Sequence, residues 1–212
     1  RTASFKKQIK GDKRIAYQSR LGSLLNRTDT STSFERFSHL CYLLELIKDN
    51  HQALHLAHHD QIYPRTNWNL DSLQSVLANK SPDETEGIYH YGSFYTVGLA
   101  KTAPGEYKGV VLQSFNSKFN SGDFVIFLKE KDTDTFTGIY CHPQFKVFSY
   151  YPLEKFRRQK LLYSFFYGTG FNGVYTKSQS SQNESNGSAG ASPVQHPADH
   201  AGLPDTLDKY YC

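Results

Sequence analysis

Apolar residues recur at three- and four-residue steps between Phe34 and Ile47: Phe34, Phe37, Cys41, Leu44 and Ile47, with Glu35, Arg36, Ser38, Glu45 and Lys48 off the stripe. That period is the mark of an amphipathic α-helix. Ser31, Thr32 and Ser33 offer N-cap hydroxyls, and Glu35 and Arg36 fall in the first turn, so the helix is expected to start near residue 32. Its stripe, continued by one step, lands on His51, expected as the inward-facing polar residue where the helix stops near Asn50. An earlier stripe through Ile9, Tyr17, Leu21, Leu24 and Leu25 predicts another helix, and the polar break "NRTDTSTS" separates the two. Two amphipathic helices joined by a short link suggest an antiparallel pair within residues 1–57. Residues 58–85 read as a linker with one short helix, "NLDSLQSVLANK", ending before Pro82.

From Glu86 the pattern shortens to runs of four to nine residues rich in Phe, Tyr, Val, Ile and Thr, the mix that suits a pleated, half-buried surface. Eight strand candidates follow: "EGIYHY", "FYTVGLAK", "EYKGVVLQS", "DFVIFLKEK", "TFTGIYCH", "KVFSYY", "KLLYSFFYG" and "FNGVYTK". Pro104-Gly105, Ser121-Gly122, Asp132-Thr133-Asp134, Pro143, Pro152 and Gly168 to Gly170 separate them. Short turns without helical crossovers imply an antiparallel meander. The fold class is therefore α+β, a helical pair followed by an eight-strand antiparallel domain over residues 86–177, closed as a small barrel or left as a strongly curved sheet. Residues 178–212 open on Ser, Gly, Asn and Pro with almost no large apolar side chain, and read as a flexible tail.

Composition narrows the picture a little. A chain of 212 residues that starts with Arg and contains no Met reads as a piece of a longer precursor, and no apolar run is long enough for a transmembrane helix. The net charge of +4 is concentrated at the start, where Arg1, Lys6, Lys7, Lys10, Lys13, Arg14 and Arg20 face a single Asp12. Without regular aromatic interleaving this arm reads as a solvated helix face, and nucleic acid is not expected as a partner. Cys41, Cys141 and Cys212 have no metal spacing; Cys41, on the apolar stripe, is expected to be a small core residue.

Candidate chemistry is sparse. His51 and His55 lie four apart, which on a helix would put two imidazoles on one face, with His58, His59 and Asp60 close behind. They are the only metal candidates and the expected reading is structural, with no metal or other cofactor. No Gly-rich serine motif occurs, "YGTGFNG" lacks the Lys of a phosphate loop, and Asp83, Glu84 and Glu86 lie in a polar linker. No catalytic residue is assigned. The aromatic residues are the remaining candidates: Tyr89, Tyr91, Tyr95, Phe127, Tyr140, Tyr150 and Tyr163 could line a barrel mouth or groove that binds a peptide or an apolar ligand. The alternative is that they form the sheet's own core.

Three stretches, "FERFSHLCYLLELIKDNH", "DETEGIYHYGSFYTVGLAK" and "EYKGVVLQSFNSKFNSGDFVIFLKE", resemble the N-terminal half of secreted C-terminal processing (tail-specific) serine peptidases in the form common in Bacteroidetes. The matching motifs are Asp49-Asn50-His51, Glu86-Gly87-Ile88-Tyr89, Tyr107-Lys108-Gly109-Val110-Val111 and Phe119-Asn120-Ser121-Gly122-Asp123. The resemblance covers roughly residues 15–177 and implies an exported, secreted or periplasmic parent. That family's Ser–Lys chemistry lies in a domain that would begin after about residue 177. The resemblance thus implies a non-catalytic region that positions or gates a polypeptide substrate. The competing expectation is an independent small β-barrel module that binds an apolar ligand or a protein.

Overall fold

The computed structural model describes residues 3–26, 32–47, 54–56, 64–115, 117–142, 146–157, 160–161 and 174–178. The expected strand segment after Leu161, the tail beyond Ser178, and His51, His58, His59, Asp60, Tyr163 and Cys212 lie outside them. The helices are α1 (Ala3–Gln8), α2 (Asp12–Leu25), α3 (Ser33–Leu44) and α4 (Leu70–Ala78). The strands are β1 (His55–Leu56), β2 (Gly87–Tyr91), β3 (Tyr95–Ala103), β4 (Glu106–Ser114), β5 (Phe124–Asp132), β6 (Thr135–Cys141), β7 (Phe148–Arg157), β8 (Lys160–Leu161) and β9 (Tyr175–Lys177). The fold is α+β, helices first and then an antiparallel meander.

The N-terminal stripe is two helices rather than one. Gly11 stands between them at φ 54°, a left-handed conformation that no continuous right-handed helix can contain. Phe5 and Tyr17, the aromatics among the basic residues, meet edge to face at 5.0 Å and so pack on each other. α3 starts as its sequence predicts. Thr32 is the N-cap, its hydroxyl accepting from Glu35 N at 3.2 Å while its own backbone N–H donates to Glu35 Oε2 at 2.7 Å. Thr32→Ala should lower stability by about 1 kcal/mol, read as a lower urea midpoint with an unchanged m-value.

α3 ends at Leu44, short of the expected Asn50. Glu45, its C-cap, accepts a hydrogen bond from Thr137 Oγ1 at 3.1 Å and lies 3.6 Å from the Arg20 guanidinium. Tertiary ties at Glu45 thus replace helix propagation. Arg20 also donates to Tyr42 O at 2.6 Å and lies 3.7 Å above the Tyr42 ring, pinning α2 to α3. The stripe faces inward: Phe37, Cys41 and Ile47 are buried, and Phe34 and Leu44 pack against the same core. α4, capped by Asn69 accepting from Ser72 N, buries Leu77 and packs on β2 and β3.

Sheet order is β1-β7-β6-β5-β4-β3-β2-β9-β8, every pairing antiparallel, so β2 to β7 form an uninterrupted meander. These long strands make a half-barrel. Its open side is bridged by short pieces: β9 pairs β2, β8 pairs β9, and β8 returns to β7 through Phe156↔Leu161 and Arg157↔Lys160. Pro152 does not end a strand as expected. β7 runs through it because the pairing steps from Gly138↔Tyr151 to Phe136↔Glu154, which leaves one extra residue on β7. A bulge is where a proline without an N–H can sit in a sheet.

Candidate functional site

The aromatic residues singled out by sequence divide between the two faces of the sheet. Phe127 and Tyr150 face outward beneath α3 beside Phe148, which was not among the candidates; the Phe34 ring lies 4.7 Å from Phe127 and 4.8 Å from Phe148. Tyr89, Tyr91, Tyr95 and Tyr140 face inward with Tyr175 of β9. Tyr91 lies 4.6 Å from Tyr175 and stacks on Tyr95 at 5.8 Å, and Tyr140 lies 6.1 Å from Tyr175. Tyr163 is outside the described residues. The structure thus gathers four of the seven candidates into one interior cluster and assigns two, Phe127 and Tyr150, to helix packing.

The hydroxyls of the interior cluster have unequal fates. Tyr89 donates to Thr85 O at 2.6 Å, and the Tyr95 and Tyr175 hydroxyls share a buried hydrogen bond of 2.8 Å. The Tyr140 hydroxyl and both carboxyl oxygens of Glu154 are buried with no hydrogen-bond partner among the protein's own groups. Glu154, on β7 opposite Phe136, is 0% exposed. Loss of water raises its carboxyl well above the usual glutamate range and so favours the neutral form, and burial raises the Tyr140 phenol too. Gly138 makes the arrangement possible. A methyl group there would meet the Tyr140 ring edge at 2.5 Å and its hydroxyl oxygen at 2.9 Å. The Tyr140 side chain therefore lies back along β6 over Gly138, towards Phe136 and the Glu154 that pairs with it. Tyr151, across from Gly138, closes the group edge to face with Tyr140 at 5.3 Å.

No protein-family model, curated protein or solved structure matches the chain. The site must be judged on its own chemistry.

His55 is in strand β1 rather than on a helix, since α3 ends at Leu44. His55 Nδ1 lies 2.7 Å from Ser149 Oγ, and burial lowers its pKa, favouring the neutral ring. His51 lies outside the described residues. Among the described residues, no group of three or more His, Cys, Asp or Glu is placed to hold a metal ion. Cys41 and Cys141 are free and buried, and desolvation pushes both thiols up, which disfavours the thiolate. Nor are the linker carboxylates idle: Glu84 accepts from Ser81 N and Lys80, and Glu86 accepts from Lys80 and Lys101 N. The Lys177 ammonium donates to Ser81 O and Glu84 O rather than to Glu154. An open groove of about 360 Å³ lies between α3 and the outer sheet face, bordered by His39, Glu45, Lys108, Lys129 and Tyr150. Its lining mixes charges of both signs and converges on no single group.

Glu154 and Tyr175 are the site residues that the sequence candidates omit. Simple alternation from Ser149 and Tyr151 sends Glu154 to the outer face with Tyr150; the extra residue at the Pro152 bulge reverses the parity and turns it inward. A proline in the middle of the run "SYYPLEKF" was the available signal.

Proposed function

We propose that this chain is a non-catalytic binding module whose recognition site is the inner tyrosine–glutamate cluster of the half-barrel. The observation that supports this reading most strongly is the orphaned Glu154. A carboxyl buried without a partner destabilises its own fold, and such a group in a native structure calls for an explanation such as an absent ligand or water. The surrounding rings give an apolar body a place to pack, and Tyr140 and Glu154 give it a polar end to recognise.

The resemblance to processing peptidases fits this proposal as a division of labour. A region of this kind would hold part of a polypeptide while a Ser–Lys centre in another domain cleaved it. The competing reading of an independent barrel module uses the same interior site. Both expect no turnover by this chain alone: acyl transfer needs a nucleophile, a base within reach and donors aimed at the developing oxyanion. The isolated chain should not hydrolyse peptide or ester substrates, and a serine-directed phosphonate should leave it unlabelled. Stoichiometric labelling of one serine that disappears on heat unfolding would overturn the non-catalytic reading.

A further inference from the structure

Three side-chain atoms of the inner cluster are buried without a partner among the protein's own groups. They are the Tyr140 hydroxyl oxygen and the two carboxyl oxygens of Glu154. A neutral carboxyl presents one O–H donor and one carbonyl acceptor, and the phenol presents a second donor. We propose that the site recognises a carboxamide, the group carried by asparagine and glutamine side chains and by small amides. This inference rests on the binding-module reading and specifies its ligand.

A carboxamide offers a partner to each of the three atoms. Its carbonyl oxygen accepts from the Glu154 O–H with one lone pair and from the Tyr140 O–H with the other, while one amide N–H donates to the remaining Glu154 oxygen. Other common head groups leave a conflict. An ammonium requires the fully buried Glu154 to ionise, and it offers Tyr140 no use for its donor. A carboxylate accepts from both donors but sets its negative charge against the Glu154 carbonyl oxygen, with no water to screen it. A purely apolar guest leaves all three atoms unpaired.

The local architecture agrees with a guest at this place. Phe136 lies directly across from Glu154, and Tyr140 and Tyr151 supply further faces. Among the described residues, β8 pairs with β7 through two residue pairs, starting at Phe156, two positions from Glu154, whereas β3 to β6 are joined by long pairings.

Four probes of similar body and different head test the inference on the whole chain: benzamide, benzoate, benzylamine and toluene, each titrated at neutral pH and followed by calorimetry and by tyrosine resonances. Benzamide is expected to bind tightest. Glu154→Leu should reduce benzamide binding to the level of toluene. Glu154→Gln should keep it, because the glutamine amide presents the same donor and acceptor. Tyr140→Phe should weaken it about 5- to 10-fold, the worth of one hydrogen bond. Benzoate or benzylamine binding as tightly as benzamide, or benzamide binding unchanged in Glu154→Leu, overturns the carboxamide inference and leaves the binding-module reading standing. Binding of none of the four overturns both.

Discussion

Glu154→Leu should make the protein more stable at pH 7, by about 1–3 kcal/mol, the usual penalty of an unsatisfied buried polar group. Leucine is of similar bulk and removes two buried oxygens that have no partner. The gain should depend on pH in a definite direction. Burial raises the folded carboxyl above its ordinary value of 4.5, so above that pH the unfolded chain has released a proton that the folded chain still holds. Stability of the natural chain therefore falls as pH rises through and beyond the ordinary glutamate range, and the leucine variant escapes that loss. Below about pH 4 both states are protonated and only the hydrogen-bond part of the gain remains. Urea titrations of the two proteins at pH 4, 6 and 8 should show a widening gap. A destabilised variant, or a gap of constant width, would mean that Glu154 has a partner in solution. A residue that lowers stability where a hydrophobe would raise it is what a binding site maintained at the expense of the fold looks like.

The largest loss is expected from Phe148→Ala, about 3–5 kcal/mol, in the range of phenylalanine deletions from packed cores. Phe148 is 1% exposed and lies against Phe34 of α3 at 4.8 Å and Phe127 of β5 at 6.2 Å. It is thus a shared wall between helix and sheet, and its Leu56 pairing also anchors β1. Removing the ring should loosen α3 before it opens the meander. Near-ultraviolet dichroism and thermal melts should register the change together, with Leu at this position recovering more than half of the loss. A loss below 1 kcal/mol would show that α3 is held mainly through Arg20 and Glu45 instead.

Local signals that carry their own geometry were readable from sequence. The Thr32–Glu35 capping box fixes the start of α3, and Asn69 fixes that of α4. Pro104-Gly105 and Asp132-Thr133-Asp134 mark hairpin turns between β3 and β4 and between β5 and β6; Gly105 and Asp134 both take positive φ there. Features set by distant contacts were not readable. The end of α3 depends on Thr137, far along the chain, meeting Glu45. β3 is buried on both faces along most of its length, so it shows no alternation from which to tell inside from outside. Tyr150 and Tyr140 look alike in sequence, yet the first packs on the helix side and the second in the half-barrel. Glu154 was hidden by parity. One inserted residue at Pro152 reversed the assignment of every residue after it on β7.

The thin seam of the half-barrel also sets an order of events in time. Each step of the meander from β2 to β7 joins neighbours in sequence, whereas closing β9 onto β2 brings together groups far apart: Ser178 meets His90 across 88 residues and Tyr175 meets Tyr95 across 80. The entropy of closing such loops must be met before the contacts they bring are gained, so the seam should be the last part of the sheet to assemble and the first to part. Amide protons of Tyr175 and Lys177 should therefore exchange ahead of those in β3 to β6, through partial openings that leave the meander intact. In this chain the meander is the lasting frame, and the pairing of β9 with β2 is its last-formed and first-lost part.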